Sequence, residues 1–413
     1  MLAESIRRAT RRSAFGTALV AFCVADAPRA QAVLGALGWR VLVKGVPLDI
    51  RTIRGEFLRG RIPNAGCCGA NELIKLYAFT LTEYHRVVHL DIDMLVLQPM
   101  DELFFASRGA ALAARATAAS AADDDDGGGD ASLAWPPAPR AERPHNGTYT
   151  DGARPGAVDG AVGDHSLVYT VDYNMMNDRQ RAKGLAGAVQ GGFLVVQPSL
   201  RVFEEIVEIV RDGRFGGKYS GWNNTGIGNW WGGATIQGVV PYYYAVVAPA
   251  LAAAAASASG AAGASGAGSS VVAARRAFEV DRCVYDNMID DPIAQPPPYV
   301  GAADCRAVPL ADIKAVHFTL CQKPWGCRPA RHPHDTQDLC VRLHARWHAL
   351  RRAVERRLGL TEIRTNCAPL PRGVRGPPEY TPLNVSELLE RSPWGGGEAR
   401  RATHSTGPPA MHP

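Results

Sequence analysis

Apolar positions change period twice within the first fifty residues. Residues 18–24 form an apolar run, Ala30, Val33, Leu34 and Leu37 repeat at helical spacing within 27–38, and residues 39–46 are again mostly apolar. This switch predicts a strand, a helix and a second strand. Further along, the pattern predicts a helix over 72–83, strands over 86–90 and 192–197, and a helix over 199–211. Phe203, Ile206, Val207 and Val210 share one face of that last helix, consistent with packing against a sheet. Another strand is expected over 315–320. Leu339, Leu343, Trp347, Leu350, Val354 and Leu358 then form an apolar stripe, which predicts a closing helix with its stripe in the core and Arg346, Arg351, Arg352 and Arg356 in solvent. Alternating strands and helices argue for one α/β domain, a single Rossmann-like unit with a mixed, mostly parallel sheet.

Two segments interrupt the pattern. Residues 107–164 are rich in Ala, Asp, Gly and Pro, and 250–274 consist almost wholly of Ala, Ser and Gly; both read as exposed, low-complexity, disordered insertions. The Asp123 to Asp126 run is read as a solvated charge block, because nothing nearby would fix its geometry for a metal. The alanine-rich piece is compatible with local helix. From residue 366 the chain is rich in Pro, Gly and Arg, so the domain is placed at 14–365 and 366–413 is read as an unstructured tail.

Composition narrows the classes. With 413 residues and a net charge of +5, the chain can bury a continuous core, and its modest charge points to no nucleic-acid partner. Nine cysteines occur without paired CxxC spacing, which argues against a structural zinc. The late cysteines, with sequons at Asn146, Asn223 and Asn384, suit disulfides in a secretory lumen; a cytoplasmic location stays open. Arg7, Arg8, Arg11 and Arg12 precede the apolar run 14–25 in signal-peptide style, but continuity with the strand-helix-strand pattern favours a core strand. No apolar stretch reaches the roughly 20 residues that cross a bilayer, so no membrane span is expected. Oligomeric state is not legible.

The chemistry concentrates in four places. The sequence VVHLDIDMLVL places Asp91 and Asp93 at the end of an apolar strand, where carboxylates reach a crevice rather than the core. Two such carboxylates can share one hard cation, Mn²⁺ or Mg²⁺, whose remaining partners are substrate phosphates. The bland alternative is a pair of surface acids at a strand end. The sequence VHFTLCQKPW delivers His317 as a possible third ligand and Lys323, six residues on, as an ammonium for a diphosphate leaving group; taken singly, such residues are more often core histidine and solvated lysine. In QGGFLVVQPS, Gly191 and Gly192 follow Gln190 at the start of a strand, either to leave room for substrate or as a simple bulge. The stretch GWNNTGIGNWWGGATIQG offers aromatic faces and amides, both good carbohydrate surfaces and ordinary packing residues.

NELIKLYAFTLTEY, HLDIDMLVLQPMDELF, GGFLVVQPS, TIQG and HFTLCQKPW, in that order, resemble glycosyltransferase family 8, the glycogenin-like nucleotide-sugar transferases. The resemblance implies a GT-A fold and a retaining hexosyltransferase that uses Mn²⁺ and a UDP-sugar donor, with glucose favoured and a carbohydrate or protein acceptor unassigned. It implies Asp91, Asp93 and His317 as metal ligands, Lys323 and Gln237 as catalytic residues, and Lys75, Gln190, Gly191, Gly192, Gly238 and Trp325 as substrate contacts. Gln190 stands where the family often has Asn. Three departures follow. The family's opening strand would precede residue 18, which suggests a shortened start. Ile236 replaces the acid expected before Gln237, and Leu320 replaces a glycine usual between the His and the Lys. A haloacid dehalogenase type phosphatase would use the same Asp pair, but Leu95 stands where that motif has Thr or Val. A catalytically impaired sugar- or nucleotide-binding protein on the same fold is the third reading.

Overall fold

The computed structural model describes residues 1–104, 166–172, 175, 187–217, 220–260, 277–290, 304–331, 335, 337–363, 367–368 and 378–391. Strands β1 (Val20–Cys23) and β2 (Arg40–Val43) pair in parallel across the helix Pro28–Ala36, as the periodicity predicts. They form a two-stranded sheet of their own, and no residue of the helix is fully buried.

The segment Gly69–Thr80 is a 3₁₀ helix rather than the expected α-helix. Its apolar positions explain this: Leu73, Leu76 and Phe79 lie three apart and are all fully buried, and a helix of three residues per turn stacks such positions on one face.

The central sheet has four strands. β3 (Val87–Leu90) leads directly toward β4 (Met94–Val96), and β5 (Leu167–Val171) precedes β6 (Val189–Val196). A hairpin follows, from β7 (Phe215–Gly216) and β8 (Gly221–Trp222), and then β9 (Ala277–Glu279). The order in the central sheet is β3-β6-β5-β9, with β6 antiparallel to both neighbours and β9 parallel to β5. β4 leaves this sheet and pairs antiparallel with β10 (Ala315–His317). The expectation of a mostly parallel sheet is therefore corrected: of the described pairs only β1 with β2 and β5 with β9 run parallel. Antiparallel neighbours need no crossover helix, which is why strand-helix alternation in the sequence overstated the parallel content.

All eight residues of β6 are buried. Leu194 and Val196 enter one apolar cluster with the 3₁₀ helix and the helices Leu200–Asp212 and Ile236–Tyr242, while Phe193 and Val195 face a second cluster. This is the period-two alternation of a strand covered on both faces. Ser199 caps Leu200–Asp212 by accepting from Val202 N, and Gly213 ends it at φ 68°. The helical run Ile236–Ala255 reaches 20 residues and is apolar enough to cross a bilayer by length and composition, against expectation. Its first part, 236–244, is buried in the core, as in a core helix.

Three further features concern the edges. The helix Leu339–Arg357 forms with its stripe inside, yet Arg351 is fully buried and paired with Glu355. The helix Ala248–Gly260 occupies the start of the expected second insertion; residues 107–164 and 261–274 lie outside the described residues. Beyond 366, β11 (Cys367–Ala368) pairs with β12 (Glu379–Tyr380), and the helix Val385–Arg391 follows. The disulfide Cys327–Cys367 ties this segment to the loop after β10, and two more join Cys283 to Cys305 and Cys321 to Cys340.

Candidate metal centre

The exchange of sheets builds the site. β3 ends at Leu90 in the central sheet and β4 begins at Met94 beside β10, so Asp91, Ile92 and Asp93 form the link between two sheets. Asp91 N donates to Gly192 O at 3.0 Å, and Phe318 N donates to Asp93 O at 3.0 Å, fixing both acids by backbone. β10 places His317 opposite Met94. Ligand atoms of Asp91, Asp93 and His317 consequently lie within 4.8 Å of one another. Lys323 follows in the same loop and pairs with Asp93. Disulfides at Cys321 and Cys327 anchor this loop on either side of it.

On the other flank, Lys75 from the 3₁₀ helix reaches Asp91 at 2.9 Å, Glu72 at 2.8 Å and the carbonyl of Gly191 at 3.2 Å. Gly192 has no room for a side chain. A Cβ there would lie 2.6 Å from His317 Cε1 and 3.2 Å from an Asp91 oxygen, so glycine is what lets β6 pass beside the imidazole.

The charges are strongly coupled. Burial works to raise the Asp91 pKa, but His89, Lys75 and His317 more than offset it and hold the group far below the usual carboxylate range. Asp93 is lowered in the same way, with burial opposed by His317 and Lys323. Burial would lower His317, yet Asp286 and Asp93 outweigh it and push the imidazole up to about 10. Lys75 is likewise raised by Asp91 and Glu72 against the cost of burial. Ionised oxygens and one imidazole are a donor set suited to Mn²⁺ or Mg²⁺, and the residues present fit such an ion.

Other expected residues are placed as follows. Within β6, Gln190 accepts from Gly192 N at 2.8 Å, and its amide faces Asp172 at 3.4 Å. Gln237 approaches the site through Gly191, whose Cβ position lies 3.3 Å from Gln237 Cγ and 3.5 Å from Lys75 Nζ. Ile236 is fully buried beside the same glycine, in the position where the resemblance expects an acid. Gly238 packs on backbone instead, since a Cβ would meet Gly233 O at 1.9 Å. Trp325 leans on Trp347, with 39% of its surface exposed.

Five polar residues at the site were not singled out from the sequence. His89 shares the strand face of Asp91, two residues on, a period-two signal that was available; its Nε2 lies 3.4 Å from that carboxylate. Glu72 supports Lys75. Asp286 and Asn287 run beside β10 through a bridge to Val316, and this long-range placement brings Asp286 to 3.4 Å from His317 Nδ1. Asp172 joins Gln190 in the same manner, at a sequence distance that no local pattern reveals.

No family model matches the chain. Over 44 residues, 11% of the chain, it is 52% identical to Glucose N-acetyltransferase 1 of Aspergillus fumigatus, a match that spans 12% of that protein.

Proposed function

We propose that this chain is a metal-dependent transferase that moves a hexose from a UDP-sugar to an acceptor hydroxyl, with retention at the anomeric carbon and on a GT-A type fold. The observation that carries the reading is the convergence of Asp91, Asp93 and His317 ligand atoms within 4.8 Å, flanked by Lys75 and Lys323. The short likeness to a protein named as a glucose N-acetyltransferase agrees with a sugar-modifying transferase.

Asp91, Asp93 and His317 would hold Mn²⁺ or Mg²⁺, which when bound supplies Lewis-acid stabilisation of charge on the departing diphosphate. Lys323 is paired to Asp93 and sits on a loop anchored at two disulfides. Released from that pair, its ammonium would meet the same developing charge, and a preorganised donor costs no reorganisation during reaction. Lys75 holds the opposite flank near Gly191 and Gln237. Gly191 and Gly192 let Gln237, Lys75 and His317 close on β6, and Ile92, 75% exposed between the two acids, presents an apolar surface. No side chain is assigned as nucleophile, so leaving-group activation and positioning carry the catalysis.

Incubation with Mn²⁺ and separate UDP-hexoses, with UDP release measured, tests this reading. Turnover of one hexose donor that chelation abolishes is the expected result. Metal-dependent UDP binding without turnover would instead favour an impaired binding protein, and phosphate release from an aryl phosphate would favour a phosphatase.

A further inference from the structure

Six of the nine cysteines are in disulfides, Cys23 is a buried thiol, and Cys67 and Cys68 are exposed thiols. The last two are adjacent in sequence and their sulfurs lie 2.9 Å apart. They occupy the turn AGCCGA, bracketed by Gly66 at φ 63° and Gly69 at φ 58° and closed by Gly69 N donating to Ala65 O at 2.9 Å. A side chain at Gly69 would meet the Pro63 carbonyl at 2.1 Å. The turn thus presents both sulfurs on the surface.

This turn is wired to the candidate metal centre. Cys67 Sγ donates to Glu72 Oε1 at 3.2 Å, Glu72 Oε2 pairs with Lys75 at 2.8 Å, and Lys75 reaches Asp91 at 2.9 Å. On its other side, the Cβ position of Gly66 lies 3.2 Å from Gly232 Cα. Gly232 in turn crowds Gln237, whose Oε1 is 1.8 Å from the Cβ position of Gly232.

We propose that Cys67 and Cys68 are a redox-modification site that closes reversibly to a vicinal disulfide and, by withdrawing the thiol donor from Glu72, shifts the Glu72, Lys75, Asp91 chain beside the cation site. The second half of this statement rests on the cation reading; the first does not. Burial, Cys68 and Glu72 keep the Cys67 thiol protonated, which leaves Cys68 as the first nucleophile. The Cys68 thiolate attacks a small-molecule disulfide such as oxidised glutathione, and one thiolate leaves. Cys67 then passes its proton to Glu72 as its sulfur attacks Cys68 Sγ, and the second thiolate leaves with that proton. In balance, two protein thiols and one external disulfide become a protein disulfide and two external thiols. An exposed disulfide of this kind belongs to the reducible class rather than the structural one. With its thiol donor gone, Glu72 holds Lys75 more fully, and Asp91 becomes freer to bind a cation.

The test uses the full chain equilibrated in graded mixtures of oxidised and reduced glutathione, alkylated, and mapped over the tryptic peptide 62–75. The peptide is expected to carry two alkyl groups when reduced and none when oxidised, with a mass lower by two hydrogens, restored by dithiothreitol. Free Mn²⁺, followed by electron paramagnetic resonance, should show tighter binding in the oxidised form by about three- to tenfold, the worth of one net hydrogen bond. A Cys67→Ser/Cys68→Ser variant should show neither change. Persistent double alkylation at every ratio overturns the proposal, as does a mixed disulfide that never closes. Blocked alkylation without mass loss that a chelator reverses overturns it too, in favour of a thiolate-bound metal. A closed disulfide with equal Mn²⁺ affinity in both states refutes the coupling. Failure of donor turnover with a positive peptide map counts against the transferase reading alone.

Discussion

The buried carboxylate of Asp286 lies 3.4 Å from Nδ1 of His317, while the other ring nitrogen of that histidine faces Asp93 at 3.3 Å. Thr170 Oγ1 donates to Asp286 at 3.0 Å and fixes the carboxylate in turn. A carboxylate behind a metal-ligating imidazole sets its tautomer and orientation, and its loss commonly costs about 10–100-fold in metal affinity. Asp286→Asn should therefore weaken Mn²⁺ binding by about that factor while leaving the circular dichroism spectrum unchanged. Unaltered Mn²⁺ affinity in a folded variant would remove Asp286 from the account.

Gly192→Ala places a methyl 2.6 Å from the His317 ring. Overpacking of this kind costs roughly 1–3 kcal/mol, so the variant should unfold at lower denaturant concentration. Because the ring must move, Mn²⁺ binding should weaken as well. Wild-type values for both measurements would mean that β6 can retreat from the ring.

Loss of one proposed ligand should be felt mainly in turnover. Asp93→Ala is expected to lower it by on the order of 10³, about 4 kcal/mol of transition-state stabilisation, in a donor-hydrolysis assay. Activity within about tenfold of wild type, a loss of about 1.4 kcal/mol, contradicts a ligand role for Asp93.

Much of this arrangement was legible in the chain. Asp91 and Asp93 stand out because an apolar run ends on them, and the helix Leu200–Asp212 follows from its periodic apolar face. What escaped was long-range. Asp286 and Asp172 meet their partners across strands, and neither has a local pattern that marks it. The period of Gly69–Thr80 was misread because apolar residues three apart fit a 3₁₀ helix as well as an α-helix over a short span.

Arg351 illustrates the same limit. Its place among arginines on a helix suggested solvent, yet it is fully buried, with Glu355 at 2.9 Å, the carbonyl of Thr381 as a further acceptor and the Tyr380 ring 5.2 Å away. Removing one partner of a buried pair strands the other charge, at about 3–5 kcal/mol. Arg351→Ala should lose stability on that scale in a denaturant titration. A loss near that of an exposed pair, below about 1 kcal/mol, would contradict the burial.

Glu102 provides an acid-side test away from the site. Burial works to raise its pKa, but Lys314 and Tyr285 outweigh it and hold the group below its usual range. A carboxylate lowered in the folded state adds stability above its unfolded pKa, near 4.3, and loses it as pH falls through the folded value. The stability difference between wild type and Glu102→Gln should be greatest above about pH 5 and shrink as the solution is acidified. A difference that grows with acid would reverse the assigned sign.

Anomalous diffraction from crystals of the protein soaked with Mn²⁺ and UDP, collected at the manganese edge, addresses the cation site directly. A single strong peak is expected within coordination distance of Asp91, Asp93 and His317, with Lys323 released from Asp93 toward the diphosphate. A peak elsewhere, or UDP bound with no anomalous density among those three side chains, would contradict the proposed ligand set.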